Sequence, residues 1–342
     1  MKLKNVLVAT VASSALVLAG CSGGGGGEEK APGTDGETTA TSLMLNWYPY
    51  GEHAPFYYGV QEGIFAEHGI DLTITAGQGS TKTAQAAGSN QTDFGWADTA
   101  AVMSNIDKGV KVKSLGVFLQ TTPSAVQVYA DGPIQTTADL AGKTIAVSAG
   151  DAPTTTFPIF LDRAGVSEDQ VQQQSLDSAG KIAAMLSGQV DGLIGFAHDQ
   201  GPNIANKSGR EMRYLRYSDE GLNFYSNGLI ANTSTIERSP ELVQAMVDAT
   251  RESFEAAIAN PEAAVASMVG KDPQTPPESV LLQQWQETIP LLTTENTEGM
   301  APGVNSDQDW ANTIGILSDA GLTETGAEAS TYWDSSFTSN EE

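Results

Sequence analysis

From Leu43 onward, short apolar runs alternate with stretches whose apolar residues recur every third or fourth position. The runs "LMLNW", "IDLTITAG", "TDFGWAD", "KVKSLGVFLQ", "SAVQVYA", "QQSLD", "VDGLIGFA" and "REMRYLRY", with the end of "DLAGKTIAVSAG", predict strands. Apolar positions at Phe56, Val60 and Ile64 predict a helix from Phe56 to His68, stopped by Gly69. Further helices are expected from Ser80 to Ala87, through Lys108, from Asp151 with Pro153 in the first turn, and from the cap Asp177 to Ser187-Gly188. After "NGLIANTS" the strands stop. Ser239-Pro240-Glu241 opens a long helix to Asn260, Pro261 opens another, and helical spacing returns at 281–288 and 307–320. Such alternation predicts an α/β chain with largely parallel sheets, in two units of about a hundred residues, the late helices packing on the first. The last residues are polar, and 331–342 reads as a loose tail.

The chain ahead of this pattern is different. Lys2 and Lys4 precede a mostly apolar run, Val6 to Leu18, which at 1.5 Å per residue is too short for a bilayer core of about 30 Å. It suits a signal peptide over 1–20. Leu18-Ala19-Gly20-Cys21 resembles a bacterial lipobox, which implies diacylglycerol on the Cys21 thiol and cleavage before it. The alternative is an ordinary signal peptide with an accidental cysteine, yet Cys21 is the chain's single cysteine. Residues 21–42 then run "CSGGGGGEEKAPGTDGETTATS", with almost nothing to bury, and predict a flexible tether with a reach of about 25 Å. Together these features predict a body held outside the cell membrane by a lipid.

Charge and cysteine narrow the chemistry. Lys plus Arg number 17 against 42 Asp plus Glu, a net charge of −25, and removing Lys2 and Lys4 makes the body more acidic still. That field repels phosphate backbones, so nucleic acid is excluded as a partner. It suits plain solubility, with attraction of a cationic ligand as the alternative. One cysteine permits no internal disulfide and no thiolate zinc cluster.

The most unusual stretch is "NWYPYGEHAPFYYG" at 46–59, with six aromatic rings, a histidine and two prolines. A core element would use aliphatics without proline, and a loop facing only water would avoid rings. With "VQEGIFAEHGIDLTITAGQGSTKT" after it, the stretch resembles the opening of substrate-binding lipoproteins of ABC importers, in the branch serving nitrate, alkanesulfonates, taurine and thiamine-pyrimidine precursors. "TDFGWAD", "DLAGKTIAV", "LSGQVDGLI", "GLIANTSTIERSPELVQAMVDATRESFEAAIANPEAAV" and "DWANTIGILSDAGL" extend the resemblance over most of 43–322. It implies a two-lobe periplasmic-binding-protein-like (type II) fold with two crossing hinge strands. Lobe 1 would be 43–125 plus 232–330, and lobe 2 130–226, with "SAVQVYAD" and "YSNGLIAN" as the crossings. It also implies a monomer that closes on a small-molecule solute and passes it to an ABC permease and its ATPase.

Ligands of open α/β sheets bind at the carboxyl ends of the strands. Asn46, Trp47, Tyr48, His53 and Tyr57 follow the first strand, where rings can sandwich a flat or cationic solute. Trp47 and Phe56 have core packing as their alternative, and His53 a loop hydrogen bond. The spacing Trp47-x-Pro49-x-x-x-His53 resembles the pyrimidine-precursor binders more than the sulfonate binders. Gly79 and Ser80 open a helix, offering free N–H groups to an anion or carbonyl, or a plain cap. Asp98 could accept from an amino-pyrimidine or simply cap the next helix. Ser148, Asp151 and Thr154 carry the same two readings. Phe196, His198 and Asp199 end another strand, at a place where the pyrimidine binders tend to carry a Glu. Tyr225, near the hinge, is a further candidate ring.

An enzyme reading is weaker. The resemblance extends to a eukaryotic thiamine-pyrimidine synthase, which needs a cofactor-binding Lys and an iron-binding Cys/His-rich stretch. This chain has one cysteine and three histidines, at 53, 68 and 198. Ser178-x-x-Lys181 lacks its companion motifs, and both residues read as ordinary helix positions. The expectation is a binder without cofactor or metal: a thiamine-pyrimidine-precursor-like solute, with a taurine-type sulfonate or a sensor or adhesin role as alternatives.

Overall fold

The computed structural model describes residues 38–338. Ten strands form two five-stranded sheets. They are β1 (Thr39–Met44), β2 (Ile70–Thr75), β3 (Phe94–Asp98), β4 (Val112–Val117), β5 (Ser124–Tyr129), β6 (Thr144–Val147), β7 (Gln172–Ser175), β8 (Gly192–Phe196), β9 (Met212–Arg216) and β10 (Asn227–Asn232). The first sheet is ordered β2-β1-β3-β10-β4 and the second β7-β6-β8-β5-β9.

The two sheets share one plan. In the first, β1 runs parallel to β2 and β3, while β10 is antiparallel to both β3 and β4. In the second, β6 runs parallel to β7 and β8, while β5 is antiparallel to β8 and β9. Each sheet therefore has one reversed strand in the fourth place, and that strand follows directly on a passage of the chain from the other sheet. The largely parallel arrangement follows from the strand–helix–strand connections, and the reversed strand follows from the two passages.

The elements follow local chemistry. Asp98, Asp151 and Asp177 each cap the next helix, accepting from the N–H of Ala100, Thr154 and Gly180. Ser306 caps the helix Asp307–Asp319, its Oγ accepting from Asp309 N at 3.1 Å and donating to Asp309 Oδ2 at 2.7 Å. Ser306→Ala is expected to cost about 1 kcal/mol. A lower urea midpoint at unchanged slope is the readout, and an unchanged midpoint would remove the cap's assigned role.

Three expectations need correction. The helix drawn from Phe56 to His68 is two helices, Ala54–Glu62 and Ile64–Glu67, because Gly63 takes φ +81° and ends the first in a left-handed cap. A helix at Gln200–Ser208 was not expected, because "QGPNIANKS" has too few apolar residues for a periodic signal. Residues 331–338 are no loose tail: Trp333 pairs with Ser114 beside β4, and Tyr332 and Phe337 are buried.

The helices after β10 close the first core. Phe254 meets the rings of Phe56, Phe118 and Trp285 at centroid distances of 5.8, 4.7 and 5.9 Å. A second apolar cluster runs from Trp310 and Trp333 to Val126 and Ile194 of the second sheet.

Candidate functional site

The chain segments after β1, β2, β6 and β7, with the end of β8 and the segment after it, converge between the two sheets. Asn46, Trp47, Tyr50, Gly79 and Ser80 come from the first side. Asp151, Ala152, Pro153, Lys181, Gly195, Phe196, Asp199 and Gln200 come from the second. Together they line a cavity that is narrow in this arrangement of the chain. Glycine makes the approach possible. Gly79 has φ +117°, and a Cβ there would lie 2.7 Å from the Gly150 carbonyl oxygen. The two loops touch through Thr81 N–H donating to that oxygen at 3.3 Å.

Behind the cavity wall lies a buried polar hub. The turn Gly51–His53 places the Glu52 carboxylate fully inside. It accepts from Trp96 Nε1 at 2.6 Å, Asn227 Nδ2 at 2.5 Å and the Tyr50 hydroxyl, and faces His198 Nε2 at 2.9 Å. Burial alone would raise the Glu52 pKa. The hydrogen bond and charge of His198, the charge of His53 and the Tyr50 hydroxyl outweigh it and lower the pKa to about 2. Burial lowers His53 to about 4, against the pull of Glu52. Its Nε2 lies 2.8 Å from Asn46 Oδ1 and its Nδ1 accepts from Tyr50 N–H, so it orients two cavity residues from behind.

Several bonds cross from one lobe to the other. The Tyr48 hydroxyl donates to Asp199 Oδ1 at 2.6 Å, and Gln284 Nε2 donates to the Asp199 carbonyl at 2.8 Å. Burial raises the Asp199 pKa to about 7, against the lowering effect of Tyr48, His198 and Lys181. With Glu52–His198, these contacts hold the two sheets in a closed arrangement. Trp47, Tyr48 and Tyr50 form their own ring cluster at the mouth, and Phe196 stacks on His198 at 5.7 Å.

The residues singled out by sequence divide accordingly. Asn46, Trp47, Gly79, Ser80, Asp151, Phe196 and Asp199 line the cavity. Tyr48 and Ser148 line the wider opening beside it. His53 and His198 stand in the layer behind. Asp98 instead caps its helix and accepts from Ser226 Oγ at 2.8 Å. Thr154 takes part in the Asp151 cap. Tyr57 packs at the edge of the first core. Tyr225 lies against Trp310, edge to face at 5.4 Å. Cys21 and the 1–20 leader lie outside the described residues.

Sequence reasoning missed Glu52, Tyr50, Gln200 and Lys181. The first two stand in the ring-rich stretch itself, where an acid beside a histidine was the available signal. Lys181 was read as an ordinary helix position. Its helix Ser178–Ser187 turns it inward beside Ile182, Ala184 and Met185, and its side chain is fully buried.

Comparison with known proteins agrees with this geometry. Residues 51–264, well over half of the chain, match the family described as NMT1/THI5 like. A formylaminopyrimidine-binding protein of Halalkalibacterium halodurans is 24% identical, over 92% of this chain and 94% of its own. The riboflavin-binding protein RibY of Chloroflexus aurantiacus is 25% identical, over 85% and 84%. A 4-amino-5-hydroxymethyl-2-methylpyrimidine phosphate synthase of Legionella pneumophila is 24% identical, over 79% and 83%. Among solved structures, the alkanesulfonate-binding protein SsuA of Xanthomonas axonopodis pv. citri, bound to MOPS, superposes with a TM-score of 0.64 at 15% identity, over 87% of this chain and 99% of its own. Among the described residues no helix is long and apolar enough to cross a membrane. The chain thus belongs to the NMT1/THI5-like family and carries the two-lobe α/β fold of the periplasmic binding proteins.

Proposed function

We propose that the protein is an extracytoplasmic solute-binding protein, tethered through Cys21, that captures a flat nitrogen-containing molecule in the interlobe cleft and passes it to an ABC permease. The observation that carries this reading is the cavity itself: rings from Trp47, Tyr50 and Phe196 beside polar groups from both lobes. Ring faces bury a planar solute at low entropic cost, and the polar groups fix its edge. The bonds crossing the cleft supply the closed state, which the solute favours by touching both lobes at once. Two relatives matched over most of their length are named for binding heterocycles, one a pyrimidine and one a flavin. The synthase-named relative makes pyrimidine chemistry the competing enzyme reading.

Solute class and stacking are tested together by tryptophan fluorescence. The body is titrated with 4-amino-5-hydroxymethyl-2-methylpyrimidine, riboflavin, taurine and MOPS. Saturable binding of a heterocycle and not of the sulfonates is the expected result. Trp47→Ala should weaken that binding by about 1–3 kcal/mol, the usual worth of a stacked ring. Binding of sulfonates alone would turn the reading to a sulfonate carrier. Product formation from the pyrimidine would turn it to an enzyme.

A further inference from the structure

Lys181 has no part in the reading above, yet its ammonium is a cavity group. It is fully buried and lines the cavity. Its Nζ donates to Asp151 Oδ2 at 3.1 Å and to the Ile194 carbonyl at 2.8 Å. An ammonium has three N–H donors, so one remains. The Asp151 carboxylate balances the charge, which leaves a directional donor rather than an unpaired cation at the wall.

Its height over the indole decides how it meets a solute. Nζ stands 5.3 Å from the Trp47 ring centroid, across the cleft. A planar ring between them would need two van der Waals gaps of about 3.5 Å each. No ring fits there. A solute in this cavity therefore meets Lys181 along its rim, in the plane where ring nitrogens and exocyclic oxygens project their lone pairs.

We infer that Lys181 is a specificity-determining residue that donates its third N–H to an in-plane acceptor of the solute, so that the site selects flat heterocycles over carbocycles of the same shape. The nearby acids bear on the charge class. Glu52 behind the wall and Asp199 on it disfavour an anion, and Asp151 neutralises Lys181 itself. The acceptor is thus an uncharged nitrogen or oxygen. This inference rests on the heterocycle reading of the cleft and adds to it a named donor and the group it reads.

The experiment uses two probes of one shape, 4-amino-2,5-dimethylpyrimidine and 2,5-dimethylaniline, which differ only in the two ring nitrogens. Calorimetric affinities for both are measured on the wild type, on Lys181→Met, and on the paired variant Lys181→Met with Asp151→Asn. The paired variant removes both charges, so that no carboxylate is left buried alone. Lys181→Gln keeps a donor. The wild type should prefer the pyrimidine by at least tenfold. Lys181→Met and the paired variant should lose most of that preference without weakening for the aniline, and Lys181→Gln should regain part of it. Unchanged preference in the folded paired variant would overturn the role of Lys181 and leave the heterocycle reading standing. A wild type that binds neither probe, or binds only taurine, would overturn both. Melting curves of each variant separate loss of fold from loss of preference.

Discussion

Glu52→Ala is expected to destabilise the folded chain by about 3–5 kcal/mol, the range for breaking a buried, hydrogen-bonded charge pair. Four donors share this one carboxylate: Trp96 Nε1, Asn227 Nδ2, the Tyr50 hydroxyl and His198 Nε2. Removing it strands all four away from water. Glu52→Gln keeps an acceptor but turns an NH₂ toward donors, and should cost less. Urea unfolding measures both. Because His198 belongs to the other lobe, the change should also loosen the closed form, seen as a larger radius of gyration by X-ray scattering. A Glu52→Ala protein within about 0.5 kcal/mol of wild type, with unchanged scattering, would deny the hub its role.

Stability should rise by about 2 kcal/mol as pH falls from 8 to 6. Burial raises Asp98 to about 7 despite its bonds from Ser226 and the Ala100 and Ala101 amides, and raises Asp199 to about 7. In the unfolded chain both titrate near 3.8, so across this window only the folded state takes up their protons. A raised carboxylate pKa contributes stability at low pH that is lost as pH climbs through 7. His53 opposes this: lowered to about 4 when folded, it binds its proton near 6.5 only when unfolded, and takes back part of the gain toward pH 6. Glu52, lowered to about 2, stays ionised throughout. Asp98→Asn should stabilise the protein at pH 8 and remove about two thirds of the net pH dependence, because asparagine still caps the helix while the buried charge is gone. Urea midpoints at pH 6 and 8 check this. A wild type more stable at pH 8 would reverse the sign and defeat the assignment.

Particular residues show how far the chain could be read in advance. Asp151 and Asp177 were legible as helix starts because a cap is settled within four residues of sequence, while Asp98 stood open between a cap and a ligand contact. Gly79 and Ser80 were legible as a strand-to-helix turn, and Trp47 as a candidate ring for the solute with core packing as its alternative. Lys181 was not. Helical period says only that it faces inward; that inward here means the cavity depends on where β8 and Asp151 lie. Glu52 was missed because its partners stand far away along the chain, His198 at 146 positions and Asn227 at 175. The helix Gln200–Ser208 escaped because its apolar content is too low for a periodic signal, and packing against the helices Ser178–Ser187 and Glu278–Thr288 and beside β9 holds it instead.

Sequence alone determined the succession of strands and helices, the caps between them and the concentration of rings after the first strand, since each depends on residues within a few positions of one another. Tertiary structure decided the rest: which strand is reversed in each sheet, that Asp98, Tyr57 and Tyr225 serve packing and caps while Lys181 reaches the cavity, and that one buried carboxylate ties both lobes together. These depend on groups a hundred or more residues apart meeting in space, and no local periodicity encodes such a meeting.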